Sequence, residues 1–363
     1  MDRFGVGWRP ELAAGILANA TAVDVVEVIA DDWVGAASDR IRALRTLGAQ
    51  IPLVLHSVGL GLATRHAVEP GRLAALARLV EAVRPVAWSE HLAFVRSRGR
   101  ELGHLAAPPR CAATLAGLVR NVERAAAMVG EPPQLENVAT LYDPPGSDRD
   151  EAGFVADALL ATGADLLLDL HNLYANATNF GFDPRSFLGR LPAGRIAGIH
   201  IAGGSVVRDA PSATQRLLDD HRHDVPDPVF ALLEEMGRLA PRPLTVILER
   251  DGRYPPIERL LGELDRARAA LARGRAQRTE ATRRPVASSH ARPARAIGLA
   301  APAASGAGDA EEQIGAWLAG ARTVPSGSDA ALDETGLRLA AESFRRKREH
   351  TLQRPRRAWR GRP

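Results

Sequence analysis

The chain has 363 residues, 45% of them hydrophobic, with one cysteine and a formal net charge of +4. That length holds one α/β barrel of about 250 residues plus an extension, with enough apolar content for a large core. The lone Cys111 excludes an internal disulfide framework and a zinc–thiolate cage. No run of about 18 apolar residues occurs, and the N-terminal MDRFGVGWRP lacks the apolar core of a secretion signal. A cytoplasmic protein with no membrane partner is therefore expected.

Eight short apolar runs are predicted as strands: GVGW (5–8), VDVVEVIA (23–30), IPLVLHS (51–57), VAWSEHL (86–92), PQLENV (133–138), ADLLLDLH (164–171), RIAGIHIA (195–202) and LTVILER (244–250). Strands buried on both faces read this way. Helical patterns rich in Ala, Leu and Arg separate them, including PGRLAALARLVEAV, CAATLAGLVRNVERAAAMV and DPVFALLEEMGRLA. In the last of these, Asp227 and Pro228 are predicted as the N-cap and first helical residue. Strand–helix alternation repeated eight times predicts an α/β (β/α)8 TIM barrel. A doubly wound sheet is disfavoured, because neither GLGLA (59–63) nor AGGS (202–205) fits a dinucleotide-binding glycine loop.

The barrel is expected over residues 1–273. Residues 274–308, rich in Arg, Ala, Pro, Ser and Gly, read as a flexible linker. Residues 309–363 read as a basic, partly disordered helical extension that docks on the barrel or on a partner. Residues 271–363 hold 18 Arg and Lys against 9 Asp and Glu, so the barrel itself is acidic. Nucleic acid is accordingly a poor candidate ligand for it.

Barrel active sites lie where the strands end in the C-terminal direction. Here the strand ends carry His56, His91, Glu136, Asp169, His200 and Glu249, and one loop adds Asp219 and His221. Asp219 and His221 are two apart, as are Asp169 and His171, so in extended backbone each pair shares a face. Asn172 adds an amide oxygen. Nitrogen and oxygen donors without sulfur suit iron, manganese or zinc. Their number exceeds the need of one ion and implies two or three, with Glu136 placed to bridge two of them. Glu27 is open between ligand, supporting residue and substrate contact. Glu90 points to the opposite strand face, Asp31 and Asp32 read as loop caps, and His66, His104, His223, His290 and His350 read as surface or loop residues.

The ordered strings LHSVGLGL, SEHLAF, LENVATLY, LLLDLHNLYANATNFGFDP, IHIAG, DDHRHDVPDPVF and ILERDG resemble the multinuclear non-heme iron-dependent oxidative enzymes over about residues 3–270. The resemblance implies a TIM barrel of the xylose-isomerase-like type, two or three iron ions and dioxygen as co-substrate. It implies oxidation of cysteine residues in a ribosomally synthesised precursor peptide, commonly with a small peptide-binding partner protein. Carried over by motif, the ligands are His56, His91, Glu136, Asp169, His200, Asp219, His221 and Glu249, with His171 or Asn172 near a third iron. His91, Glu136 and Asp169 are the expected catalytic positions. The chain has His171-Asn172 where many relatives have two asparagines, and Glu249-Arg250-Asp251 where relatives often have Glu-Trp-Asp.

Three other functions fit parts of the pattern. A trinuclear zinc hydrolase of the endonuclease IV type uses the same donors, although an acidic barrel suits DNA poorly. A two-metal sugar isomerase or epimerase usually needs a lysine or a His–Asp pair, and the single lysine, Lys347, is expected in the tail, away from the site. A metal-binding adaptor that presents a peptide is the non-enzymatic alternative.

Overall fold

The computed structural model describes residues 1–283, 307–324 and 332–353. Taken in order, the elements are β1 (Arg3–Gly7), α1 (Ala13–Ala18), β2 (Val25–Ile29), α2 (Ser38–Gln50), β3 (Leu53–Ser57), α3 (Pro70–Val83) and β4 (Ala87–His91). A hairpin of β5 (Phe94–Ser97) and β6 (Arg100–Ala106) precedes α4 (Ala112–Val129), β7 (Gln134–Glu136), α5 (Glu151–Thr162) and β8 (Leu166–Asp169). Next come α6 (Leu170–Phe180), α7 (Pro184–Arg190), β9 (Ile196–Ile201) and a second hairpin of β10 (Ser205–Arg208) and β11 (Gln215–Leu218). The chain continues through α8 (Asp227–Leu239), β12 (Thr245–Leu248), α9 (Ile257–Arg283), α10 (Ala307–Leu318) and α11 (Glu334–Gln353).

Eight parallel strands close a barrel in the order β1-β12-β9-β8-β7-β4-β3-β2. All eight predicted strands are present, and the architecture is the expected (β/α)8 barrel. Its core is aliphatic: Val26, Val28, Leu55, Leu135, Leu166, Leu168, Ile199 and Val246 are buried against the surrounding helices. Gly5 permits close strand packing, since a Cβ there would lie 2.0 Å from the Val25 carbonyl oxygen.

Three local expectations change. His171 is not in a strand: β8 stops at Asp169, whose side chain caps α6 by accepting from the Asn172 N–H at 2.7 Å. An aspartate followed by residues able to enter a helix ends the strand there. Asp227 is the first helical residue rather than the cap, and Pro226 is the N-cap. The segment expected as linker begins inside α9, which continues to Arg283; residues 284–306 and 354–363 lie outside the described residues.

The extension docks on the C-terminal mouth of the barrel. A second apolar core joins Ile314, Trp317, Leu318, Leu337, Ala340 and Phe344 of α10 and α11 to Phe94, Leu102, Ala106, Leu141 and Tyr142. Two glycines set the approach: a Cβ at Gly315 would lie 2.2 Å from the Ser97 Cβ, and one at Gly336 would lie 2.2 Å from the Leu141 carbonyl oxygen. Polar anchors reinforce the seam. Buried Glu311 accepts from the Thr64 hydroxyl at 2.5 Å and the Arg65 N–H at 3.3 Å, and Arg338 pairs with Asp209 at 3.1 Å.

Candidate metal centre

Barrel closure converts separate strand ends into neighbours. In the sheet register His91 lies beside Glu136 and Asp169 beside His200, while His56 is paired with Ser89. Glu249 follows β12 directly, and its N–H donates to the Ile201 carbonyl at 3.0 Å. Asp219 and His221 arrive on the segment after β11. His221 has a left-handed backbone (φ 53°), so this pair reaches the site through a turn rather than along an extended strand.

Two groups of potential metal ligands result. His56, His91 and Glu136 offer donor atoms within 4.8 Å of one another, and so do Glu136, Asp169, His200 and Glu249. Glu136 belongs to both. Its Oε2 lies 3.2 Å from His91 Nε2 and 3.4 Å from His56 Nε2, while Oε1 lies 3.2 Å from His200 Nδ1. Glu249 Oε2 approaches His200 Nδ1 at 3.0 Å and His221 Nδ1 at 3.7 Å. Buried oxygens of the kind that bind cations remain without hydrogen-bond partners: Glu136 Oε2, Asp169 Oδ2 and Asn172 Oδ1. Leaving such atoms unsatisfied is costly, and bound metal ions would satisfy them. The donor set thus fits the expected metal.

The surrounding residues orient these donors. The Ser89 hydroxyl sits 2.8 Å from His56 Nδ1, leaving Nε2 directed at Glu136. Glu27 Oε2 lies 2.8 Å from His200 Nε2, leaving Nδ1 for Glu136 and Glu249. Glu27 is therefore placed as a support behind His200. The Asn172 amide donates to the Asn137 carbonyl at 3.0 Å, which turns its oxygen toward the cavity. His171 takes a different place from the one expected. Its Nδ1 meets Asp219 Oδ1 at 2.7 Å, and its Cε1–Nε2 edge packs against Gly204, where a Cβ would lie 2.6 Å from Cε1. Asp219 Oδ2 in turn lies 2.8 Å from His221 Nε2. Glu90 is structural: it accepts from the His91 and Leu60 N–H groups. Asp31 accepts from the Val58 N–H at 2.9 Å, as a loop cap should.

The electrostatics are those of a site crowded with anionic oxygen. Burial favours neutral imidazole at His91, but the charges of Glu136 and Glu90 outweigh it and push its pKa up to about 9. Burial favours protonated Glu249 as well, yet His200 and His221 hold its carboxyl well below the usual range. Asp169 goes the other way: burial, then the charges of Asp219 and Glu136, raise it well above the usual range.

Above the donors lies a cavity of about 410 Å³, lined by His56, His91, Glu136, Asn172, Asp219 and His221 on its floor. Its outer wall comes from β6 and α11 and includes His104, Phe344 and Lys347. Two expectations are overturned here. Lys347 does not lie away from the site, because docking of α11 carries it into the cavity. His104 is no surface residue; its Nε2 sits 2.7 Å from the Lys347 ammonium. Nothing local to either residue in the sequence signals this, since the two are 243 positions apart. At the other rim Arg9 pairs with Asp251 at 2.6 Å.

The profile of the family described as RiPP precursor modification enzyme MbnB/TglH/ChrH matches residues 3–272. The chain belongs to this family. Among curated relatives, a UPF0276 protein of Streptomyces avermitilis is 38% identical over 233 residues, covering 62% of this chain and 46% of that protein. The chain thus spans about half the length of that relative. A UPF0276 protein of Bordetella bronchiseptica is 34% identical over 272 residues, covering 75% of this chain and 93% of the other. One from Caulobacter vibrioides is 33% identical over 275 residues, with coverages of 76% and 96%. Similar solved structures include the 3-keto-D-glucoside 4-epimerase of E. coli, at 13% identity and a TM-score of 0.48, covering 74% of this chain and all of that one. A xylose isomerase domain protein of Alicyclobacillus acidocaldarius gives 19% identity and a TM-score of 0.47, with coverages of 75% and 99%. The barrel itself rests on the closed strand order. Among the described residues, no helix is long and apolar enough to cross a membrane.

Proposed function

We propose that this protein is a multinuclear iron, dioxygen-dependent oxidase that modifies cysteine residues of a ribosomally synthesised precursor peptide. The observation that carries the reading is Glu136, shared by two adjoining ligand groups at the mouth of a barrel. His56, His91 and Glu136 would hold one ion, and Glu136, Asp169, His200 and Glu249 a second. Asp219, His221 and Asn172 would serve a third, with His171 orienting Asp219. Bound iron would supply the one-electron chemistry and dioxygen activation that side chains lack. The protein's own part is geometric and electrostatic. Ser89, Glu27 and Asn137 fix the direction of His56, His200 and Asn172, and the roof formed by α11 limits water at the reacting thiol. A small peptide-binding partner protein and a cytoplasmic location belong to the same reading.

Elemental analysis of anaerobically purified protein, with Mössbauer spectroscopy on iron-57-grown material, tests it. Two or three irons per chain and dioxygen consumption on adding the precursor peptide are expected. Stoichiometric zinc without iron, from iron-replete cells, replaces the reading with a polynuclear zinc hydrolase. His91→Ala is expected to lower bound iron and abolish peptide oxidation.

A second reading gains from two contacts. Lys347 in the cavity and the His171–Asp219 pair supply what a two-metal sugar isomerase or epimerase needs for ring opening. Interconversion of aldoses and ketoses without dioxygen would favour it over the oxidase.

A further inference from the structure

The cavity over the metal floor has two kinds of lining. The floor is imidazole, carboxylate and amide. Much of the remaining lining is apolar: Leu105 of β6, Leu141 and Tyr142 after β7, Leu217 of β11, and Ala340 and Phe344 one turn apart on α11. The Tyr142 hydroxyl already donates to the Ala107 carbonyl at 2.9 Å. The family match ends at residue 272, so the part of this lining that comes from α11 lies outside it.

The charged residues among this lining already have partners. Arg9 pairs with Asp251 at 2.6 Å and donates to the Trp8 carbonyl at 2.8 Å. Glu101 pairs with Arg72, and Asp220 accepts from the Ser205 hydroxyl at 2.6 Å. Lys347 lies 2.7 Å from His104 Nε2. Burial lowers its pKa, while the charges of Asp219, Asp251 and Asp220 already act on the ammonium and oppose that fall. None of these groups calls for a counter-charge on the substrate. An ion brought against this lining would lose its water and gain no partner.

The lining is also held in place before anything binds. Two buried asparagines of α6 tie its segments together. Asn176 donates to the Val138 carbonyl and accepts from the Thr140 N–H, both at 2.9 Å. Asn179 donates to the Thr140 carbonyl at 3.2 Å and to the Leu217 carbonyl at 3.0 Å, and it accepts from the Leu217 N–H at 2.7 Å. A surface fixed in this way costs little ordering on binding. The volume of about 410 Å³ lies near the lower end of the range for small-ligand pockets, about 300–1,000 Å³. It takes a few residues of an extended chain rather than a folded protein.

We infer that the cavity selects a substrate whose residue next to the reacting one carries a large aliphatic or aromatic side chain, held against Leu105, Leu217 and Phe344, and that it rejects an acidic residue there. The inference rests on the peptide reading proposed above. The extension then helps to set specificity through Phe344 and Ala340.

Isothermal titration calorimetry tests it on the full chain, as purified with its metals and without dioxygen, so that no peptide is oxidised. The probes are acetyl-Ala-Xaa-Cys-Ala-Ala-amide and acetyl-Ala-Ala-Cys-Xaa-Ala-amide, with leucine, alanine or aspartate at Xaa. At one position or both, leucine is expected to bind about tenfold more tightly than alanine, and aspartate more weakly than alanine. Equal binding of the three at both positions, tightest binding of aspartate, or binding by none overturns the inference. The same peptides with serine for cysteine separate it from the oxidase reading. A leucine preference in the serine series supports the pocket whether or not cysteine is oxidised. Dioxygen consumption without any leucine preference keeps the oxidase and removes the pocket. Leu217→Ala, which keeps the backbone contacts with Asn179, is expected to cut the leucine-over-alanine ratio to about threefold or less. If both peptides weaken alike and the ratio stays at its parent value, Leu217 has only a structural role and the inference is overturned.

Discussion

Glu136→Gln preserves the shape of the side chain and removes one negative charge at the point where the two ligand groups meet. The carboxylate has three imidazole nitrogens within 3.4 Å, two on Oε2 and one on Oε1. The amide keeps one acceptor and turns the other position into a donor, so it cannot serve both groups. A hydrogen bond to a charged group contributes about 1.5–3 kcal/mol, and loss of one such contact per ion weakens each by roughly ten- to hundredfold. At micromolar metal the variant should therefore retain at least one ion fewer than the parent after gel filtration. A second readout needs no metal. Glu136 is the strongest charged influence raising His91 to about 9, so in chelator-treated Glu136→Gln the His91 titration, followed by NMR, should fall toward the ordinary imidazole value. A variant with the full metal complement and a His91 titration still near 9 would refute the bridging role.

Other perturbations test the supports and the roof. Gly204→Ala would place a Cβ 2.2 Å from the Leu218 carbonyl oxygen and 2.6 Å from His171 Cε1. The expected result is displacement of His171 from Asp219 and selective loss of the ion proposed at Asp219; unchanged metal content would count against a third site there. Trp317→Ala removes a buried aromatic from the second core, at a cost of about 3–5 kcal/mol to docking of the extension. New protease cleavage beyond α9 should follow, and resistance equal to the parent would contradict that packing. In metal-free protein the His91 pKa is raised in the folded state, to about 9. Its contribution to stability is full below about pH 6.5, the ordinary imidazole value, and is lost as pH rises through about 9. The denaturation midpoint of chelator-treated His91→Gln should lack this fall, and a parent whose own His91-dependent stability grows over the same window would refute the sign.

The barrel was legible because each of its strands is an apolar run ending in a polar residue, and closure then needs no further information. Strand-end donors such as His56, Glu136 and His200 could be found for the same reason. His171 was misplaced because period-two spacing from Asp169 imitates a strand, while the deciding interaction is a side-chain cap on the Asn172 N–H. The β5–β6 hairpin was missed although Gly99 marks its turn in the sequence; in the structure Arg98 and Gly99 both have positive φ, the geometry of a two-residue hairpin loop. Lys347 was invisible at the site for another reason. Its place depends on Gly315 and Gly336 admitting close contacts with Ser97 and Leu141, and no local pattern encodes a contact over such separations.

The roof also imposes an order in time. Phe94, Leu102 and Tyr142 leave the ribosome long before Ile314, Trp317 and Phe344, their partners in the second core. Until those late residues arrive, a barrel that has already closed presents an apolar rim and an open mouth. The nascent chain thus offers its donors to incoming ions most freely before synthesis ends. In the finished protein α11 forms one wall of the cavity through which an ion would reach the donors.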